Sequence, residues 1–329
     1  MLFLDAGVIR AVLPMKAAIA LAEKAFVALS AGRVEMPRRL RLAGLPAGGS
    51  SLIMPCLLRQ GTESTLSVKA LSSFPPGAGV PAAPDAGAVL LLDPTTGRPR
   101  ALLEAATLTE IRTGAASGLA TGLLSRAESR VAAIFGAGAQ GRRQVEALLA
   151  VRPLEEVRIY DLDLGKAERL VAALEETAGT SCAFRRARDP RRAVEGADIV
   201  TTATDSGAAV FEHRHLTRGV HINAIGSSTR DRREVPEQTI AAARVVVDSR
   251  QAALAEAGDL VRSGGGRRRT HAIHAEIGEI AMGRKPGRRD PGQTTLFKSV
   301  GVAVQDAVAA DHVLREALRL GKGISVDWR

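Results

Sequence analysis

The stretch VAAIFGAGAQGRRQVEALLAV, Val131 to Val151, decides the fold. Val131–Phe135 is an apolar run of strand length, and the residues from Ala139 onward carry a helical period. Between them stands Gly136-x-Gly138-x-x-Gly141. Gly136 allows a tight turn, Gly138 lets a pyrophosphate approach the backbone, and Gly141 lets the helix pack close to the strand. The helix N-terminus adds unpaired N–H groups and the positive end of its dipole. A glycine-rich turn alone is weak evidence, because it is often only a turn. Here strand, loop and helix come in the required order, and an acid, Asp161, ends the next apolar run, EVRIYD.

Further along, short apolar runs keep alternating with helical periods. LGKAERLVAALEETA follows EVRIYD, and ADIVTTAT, GVHINAIG and ARVVVD come later. That alternation predicts βαβ units and a parallel sheet, and near-continuous apolar strands predict a sheet covered on both faces. The expected fold is α/β, a Rossmann-type doubly wound parallel sheet. A carboxylate at Asp161 accepts from both ribose hydroxyls and repels a 2′-phosphate, which predicts NAD (NADH). Arg158 and Lys166 lie close in sequence and keep NADP possible. The blander reading of Asp161 is a cap on the following helix. The residues assigned to the cofactor are Gly136, Gly138, Ala139, Gln140, Gly141, Asp161, Thr113 and Ser299.

The N-terminal part reads differently. PMKAAIALAEKAFVALSAG places Ile19, Ala22, Phe26 and Leu29 at helical spacing and stops at Gly32. SSLIMPCLL, STLSVKALSSF, AGAVLLLD and PRALLEA read as strands joined by Gly/Pro turns. This predicts a separate α+β unit of four strands and one helix, linked onward by a helix in LTEIRTGAASGLATGLLSR. After TTLFKSVG, a last helix runs to about Leu320 without a strand of its own, free to pack back on the first unit. The expected domains are 1–113 with 300–329, and 114–299.

Composition narrows the classes. The chain has 329 residues, enough for two domains. No apolar run reaches the roughly 20 residues of a membrane span. MLFLDAGVIRAVL carries Asp5 early and does not read as a signal peptide. Two distant cysteines, Cys56 and Cys182, make a disulfide framework unexpected, so a cytoplasmic location is the default. A net charge of +10 raises nucleic acid as a partner. The arginines are scattered among acids, however, and the densest cluster, SGGGRRRTH, is a Gly-rich loop without aromatics. No nucleic-acid partner is expected. His271 and His274 in THAIHAEIGE share a helix face on this reading, but no third ligand accompanies them, and no metal is expected.

Several motifs together resemble the ornithine cyclodeaminase/mu-crystallin family: Met54–Pro55, VKALSSFP, LLLDPTTGRPRALLEAATLTEIRTGAASGLA, FGAGAQG, EAGDL and TTLFKSVGVAVQDAVAA. They occur in order over nearly the whole chain. The resemblance implies a homodimer, with a split first domain for substrate binding and dimerisation beside the dinucleotide-binding domain. It also implies cationic side chains around a substrate carboxylate: Lys69 in VKALSSFP, Arg112 in LTEIRTGAAS, and Arg39 in EMPRRLRL, with Arg38 the alternative. The chemistry suits a small imino or amino acid, because guanidinium groups offer charged, forked donors to a carboxylate. Lys69, flanked by Val68 and Ala70, is expected to point away from the core face. The blander readings are a solvated strand lysine for Lys69 and a surface ion pair with Glu110 or Glu104 for Arg112.

The loop in HINAIGSSTRDRREV follows a late strand of the sheet, where ligands of such folds bind. Family cyclodeaminases carry an aspartate two residues after the glycine; here that position is Ser228. Ketimine reductases of the family resemble this chain more, with a small or hydroxyl residue there and an Arg–Glu pair downstream, matching Arg233–Glu234. Deamination needs a base to take the ammonium proton before hydride leaves, and serine is none. Reduction of a preformed imine is less demanding. Lys69 and Ser228 are the expected catalytic residues, with Asp231 and Glu234 as other acids in reach. The expected function is NAD(P)H-dependent reduction of Δ1-pyrroline-2-carboxylate or Δ1-piperideine-2-carboxylate. Ornithine cyclodeaminase, an alanine-dehydrogenase-like deaminase, and a non-catalytic, crystallin-like nucleotide-binding protein are the alternatives.

Overall fold

The structure, a computed structural model, describes residues 1–61, 63–74, 85–177, 179–261 and 273–328. Two compact units divide it: Met1–Arg112 with Val302–Arg329, and Thr113–Gly301. The helix Ala105–Leu124 runs across the first division.

In the first unit the strands are β1 (Leu2–Leu4), β2 (Val34–Glu35), β3 (Leu40–Ala43), β4 (Ser50–Gln60), β5 (Glu63–Ser73), β6 (Asp85–Leu92) and β7 (Pro99–Glu104). In the second they are β8 (Val131–Phe135), β9 (Glu156–Tyr160), β10 (Ala183–Arg186), β11 (Ile199–Thr202), β12 (His221–Ala224), β13 (Arg244–Val247), β14 (Ile273–Glu276) and β15 (Thr295–Lys298). A last strand, β16 (Ile324–Ser325), returns to the first unit.

The first unit is larger than the four strands and one helix expected. Its sheet runs β16-β1-β7-β6-β5-β4-β2, with β3 also on β4. The N-terminal MLFLDAG supplies β1, which joins β7 in parallel and makes the sheet mixed. Three residues are too few to show an alternating pattern, so sequence periodicity misses such a strand. Helices Ala6–Val12, Met15–Ser30 and Ala303–Arg319 pack on this unit. The helix of PMKAAIALAEKAFVALSAG buries Ala18, Ala22, Ala25, Phe26 and Ala28, while Ile19 and Leu29 are only half-buried. Gly32, at φ 72°, follows it.

Register sorts the sheet's two faces. Met54, Lys69, Val89 and Leu103 are cross-strand partners on one face, and all are buried. Pro55, Val68, Leu90 and Leu102 are partners on the other, and each stays partly exposed.

The second unit is a wholly parallel sheet in the order β10-β9-β8-β11-β12-β15-β13-β14. Alternate residues enter separate apolar clusters: Ala133 and Phe135 in one, Ala132 and Ile134 in the other. Both faces are therefore covered, which is why these strands read as continuous apolar runs. The run before the last helix, TTLFK, expected to bring no strand, does bring one. It forms β15, between β12 and β13. Chain order reverses between β8 and β11, the position where such sheets bind ligands. No helix among the described residues is long and apolar enough to cross a membrane.

Candidate active site

Lys69 corrects an expectation. It lies on the buried face of β5 with Thr65, Ser67 and Leu71, while Val68 and Ala70 face the other way. Its ammonium donates to Asp306 Oδ1 at 3.0 Å and to Thr109 Oγ1 at 2.5 Å. Thr109 is free to accept, because its hydroxyl donates to Ala105 O. An ammonium has three donors, so one remains among the described residues. Burial pulls the Lys69 pKa down to about 8; Asp306 opposes this, and Arg112 and Arg39 add to it.

Arg112 makes neither surface ion pair considered for it. Its Nε donates to the same Asp306 Oδ1 at 3.2 Å, and its Nη1 donates to Gln305 Oε1 at 3.2 Å. Gln305 returns a bond to Arg112 O at 3.2 Å. Two of the five guanidinium donors are thus engaged within the protein. Arg39 is half-buried and near enough for its charge to bear on Lys69, whereas Arg38 is exposed.

Asp306 is the hub, and motif reading passed over it. Burial raises its carboxyl, but Arg112 and Lys69 outweigh that and hold it below the usual range. Its Oδ2 has no hydrogen-bond partner among the described residues, although the residue is 1% exposed. A signal existed in the sequence: Gln305 and Asp306 interrupt an otherwise apolar run, VGVAVQDAVAA, buried throughout and entering the helix at Ala303.

The second unit carries the glycine loop. Gly136 has φ 98°, and a Cβ there would sit 2.4 Å from Ala203 O. A Cβ on Gly141 would sit 2.0 Å from Gly136 O, so helix and loop touch there. A Cβ on Gly138 would meet nothing within 4 Å, which leaves open space above the loop. The helix Ala139–Val151 has no side-chain cap, and its first N–H groups are left for an anion. Gln140 Oε1 beside them is buried without a partner among the described residues. A cleft of about 240 Å³ is lined by Gly138, Ala139, Arg142, Lys166 and Arg169. These residues fit a dinucleotide's phosphates.

Asp161 accepts from Ala137 N at 2.8 Å and from Asp163 N at 2.9 Å, so it fastens the glycine loop. The helix cap is Asp163, which accepts from Lys166 N at 3.1 Å. Thr113 is buried on the linking helix. Ser299 has its hydroxyl on Asp248 Oδ2 at 2.9 Å, a carboxylate that also takes the N–H groups of Val300 and Gly301.

The polar loop after β12 is held from within. Glu234 is fully buried. Its Oε1 accepts from Thr204 N and Thr204 Oγ1, both at 2.7 Å; its Oε2 accepts from Gly226 N at 2.7 Å and Ser227 N at 3.0 Å. It does not point outward as a base. Ser228 is exposed, and its hydroxyl makes no hydrogen bond among the described residues. His274 lies on β14, not on a helix, and contacts Arg244 and Pro286 O. His271 falls outside the described residues, and no metal-binding cluster occurs among the described ones.

The family model described as ornithine cyclodeaminase/mu-crystallin family matches residues 2–321. The chain belongs to that family. Among curated members, the Δ1-pyrroline-2-carboxylate reductase of Bacillus cereus is 38% identical over 330 residues, covering 100% of both chains. Among solved members, the Thermococcus litoralis Δ1-pyrroline-2-carboxylate reductase in complex with NADH and L-proline is 35% identical. It superposes with a TM-score of 0.94 over 99% of this chain and 100% of that one. An archaeal alanine dehydrogenase dimer with bound NAD is 29% identical, with a TM-score of 0.91 over 100% of this chain and 99% of that one. The Rossmann-type unit is thus a family feature.

Proposed function

We propose that this chain is an NADH-dependent reductase of a small cyclic 2-imino acid, with Δ1-pyrroline-2-carboxylate as the leading substrate and proline the product. The full-length likeness to the reductases named above supports it. So do Lys69 and Arg112, both on the Asp306 carboxylate, with Arg39 near enough for its charge to bear on Lys69. Two cations on one buried acid, with Arg39 close to Lys69, leave net positive charge, which suits a substrate carboxylate.

In this reading residues 1–113 with 300–329 bind substrate and dimerise, and residues 114–299 bind the dinucleotide. The free donor of Lys69 and the unspent donors of Arg112 take the carboxylate. Gly136, Gly138, Ala139, Gln140 and Gly141 hold the pyrophosphate, and Asp161 the adenosine ribose, with Thr113 and Ser299 also lining the cofactor. NADH, when bound, supplies the hydride that reduces the iminium carbon. Ser228 orients the nitrogen and needs no base strength for that. Glu234, spent on four donors, is a poor candidate for the base of ornithine deamination. We read the protein as a cytoplasmic homodimer, consistent with the partly exposed apolar face of Pro55, Val68, Leu90 and Leu102.

The deciding measurement is NADH and NADPH oxidation against a panel of cyclic and acyclic imino acids, with ornithine and alanine in the reverse direction. Reduction of a five- or six-membered cyclic imine is expected, with no useful ammonia release from ornithine. Robust ammonia release would overturn the reading.

A further inference from the structure

The EAGDL motif and the lysine of TTLFK bear on the polar loop. Asp259 Oδ1 accepts from Glu234 N at 2.8 Å and Val235 N at 3.0 Å. Its Oδ2 lies 2.8 Å from Lys298 Nζ, a contact of charges rather than an aligned hydrogen bond. Glu234, Asp259 and Lys298 are all fully buried. Gly258 lies directly under the loop: a Cβ there would sit 1.9 Å from Arg232 O and 2.7 Å from Thr229 O. Gly226 is equally crowded, with a Cβ position 2.1 Å from Thr204 O. Ser227 Oγ donates to Arg232 O at 2.7 Å and closes the loop on itself.

These contacts tie three strands together. Thr204 follows β11, Gly226 follows β12, and Lys298 ends β15. Past the ends of parallel strands, backbone N–H groups lose their ladder partners and need acceptors. Glu234 supplies them for Thr204, Gly226 and Ser227. Burying two carboxylates beside one ammonium is costly, and hydrophobic residues of like volume would serve bare stability as well. What hydrophobic residues could not do is fix those three amides.

We propose that Glu234 is a positioning residue: through the amides of Gly226 and Ser227 it fixes Ser228 at the carboxyl edge of the sheet, and Asp259 with Lys298 fixes Glu234. This rests on the role assigned to Ser228 above. Only glutamate fits the place. Glutamine has one oxygen for four donors, and its NH₂ would confront N–H groups. Aspartate falls short by about 1.5 Å, one carbon–carbon bond.

The test compares wild type with Glu234→Gln and Thr204→Val, the latter removing one donor to Glu234 and the acceptor of Ser206 N. Amide exchange, read by mass spectrometry without substrate, is expected to quicken at least about tenfold in residues 226–233 of Glu234→Gln and to stay unchanged elsewhere. With NADH and Δ1-pyrroline-2-carboxylate, kcat is expected to fall about 10²-fold, the scale of an ångström-sized misplacement, with NADH affinity within twofold. Thr204→Val should show the same pattern more weakly, and it serves if Glu234→Gln does not fold. Unchanged exchange, or unchanged kcat, overturns the proposal, as does loosening spread over the whole unit with loss of NADH binding. Local loosening in a protein whose wild type reduces no imine supports the clasp and overturns the reductase reading instead.

Discussion

Lys69 Nζ lies 3.0 Å from Asp306 Oδ1, across 237 positions of sequence, and both side chains are 1% exposed. Removing the acid leaves two buried cations, Lys69 and Arg112, uncompensated. Asp306→Asn is therefore expected to lower unfolding free energy by about 3 kcal/mol, the scale of breaking a buried pair from one side. Urea denaturation measures it. A loss under 1 kcal/mol would mean the pair relaxes to solvent.

Lys69 also sets a pH limit. Its folded pKa of about 8 is lowered mainly by burial. As pH rises through that value the ammonium becomes neutral and loses its hold on a carboxylate. The kcat/KM profile for an imino acid should fall above about pH 8, since that parameter reports the free enzyme. Stability moves the other way. The unfolded lysine keeps its proton up to its ordinary value of 10.5. Between the two pKa values the unfolded chain binds more protons, so this residue's contribution to stability grows as pH rises. A flat kcat/KM profile to pH 10 would remove Lys69 from carboxylate binding.

Arg112→Lys keeps the charge but cannot reach Asp306, Gln305 and a substrate at once. The expected loss is on the order of 2 kcal/mol or more in kcat/KM for the imino acid, with NADH binding intact. An unchanged KM would place Arg112 outside the site.

Asp161→Ser should shift preference from NADH toward NADPH, because Lys166, Arg142 and Arg169 line the neighbouring cleft and attract a 2′-phosphate. The serine also loses a carboxylate oxygen from Ala137 N, so NADH affinity should fall more than NADPH affinity rises. Titration of both cofactors by fluorescence decides this. A wild type that already favours NADPH strongly would refute the assignment.

Leu90 sits on the partly exposed face of the first unit's sheet, beside Val68 and Leu102. Sedimentation of the wild type at micromolar concentration should give a dimer, and Leu90→Arg a monomer. A monomeric wild type would show that nothing covers this face.

The sequence by itself determined the Rossmann-type unit, because its signals are local. The order of apolar run, Gly136-x-Gly138-x-x-Gly141 and helix needs no distant partner, and the continuous apolar strands follow from a sheet covered on both faces. It also singled out Lys69, Arg112 and Arg39 through ordered motifs. Only the tertiary structure decided what those side chains face. Whether Lys69 points in or out depends on which face of β5 the last helix covers, and flanking Val68 and Ala70 suggested the wrong one. Asp306 is far away in sequence and shares no spacing rule with its partners, and β1 and β15, of three and four residues, are too short to show a period. Glu234 looked like a spare acid in a polar loop. Its burial under three strand ends depends on Asp259, Lys298 and Gly258, which only chain folding brings there.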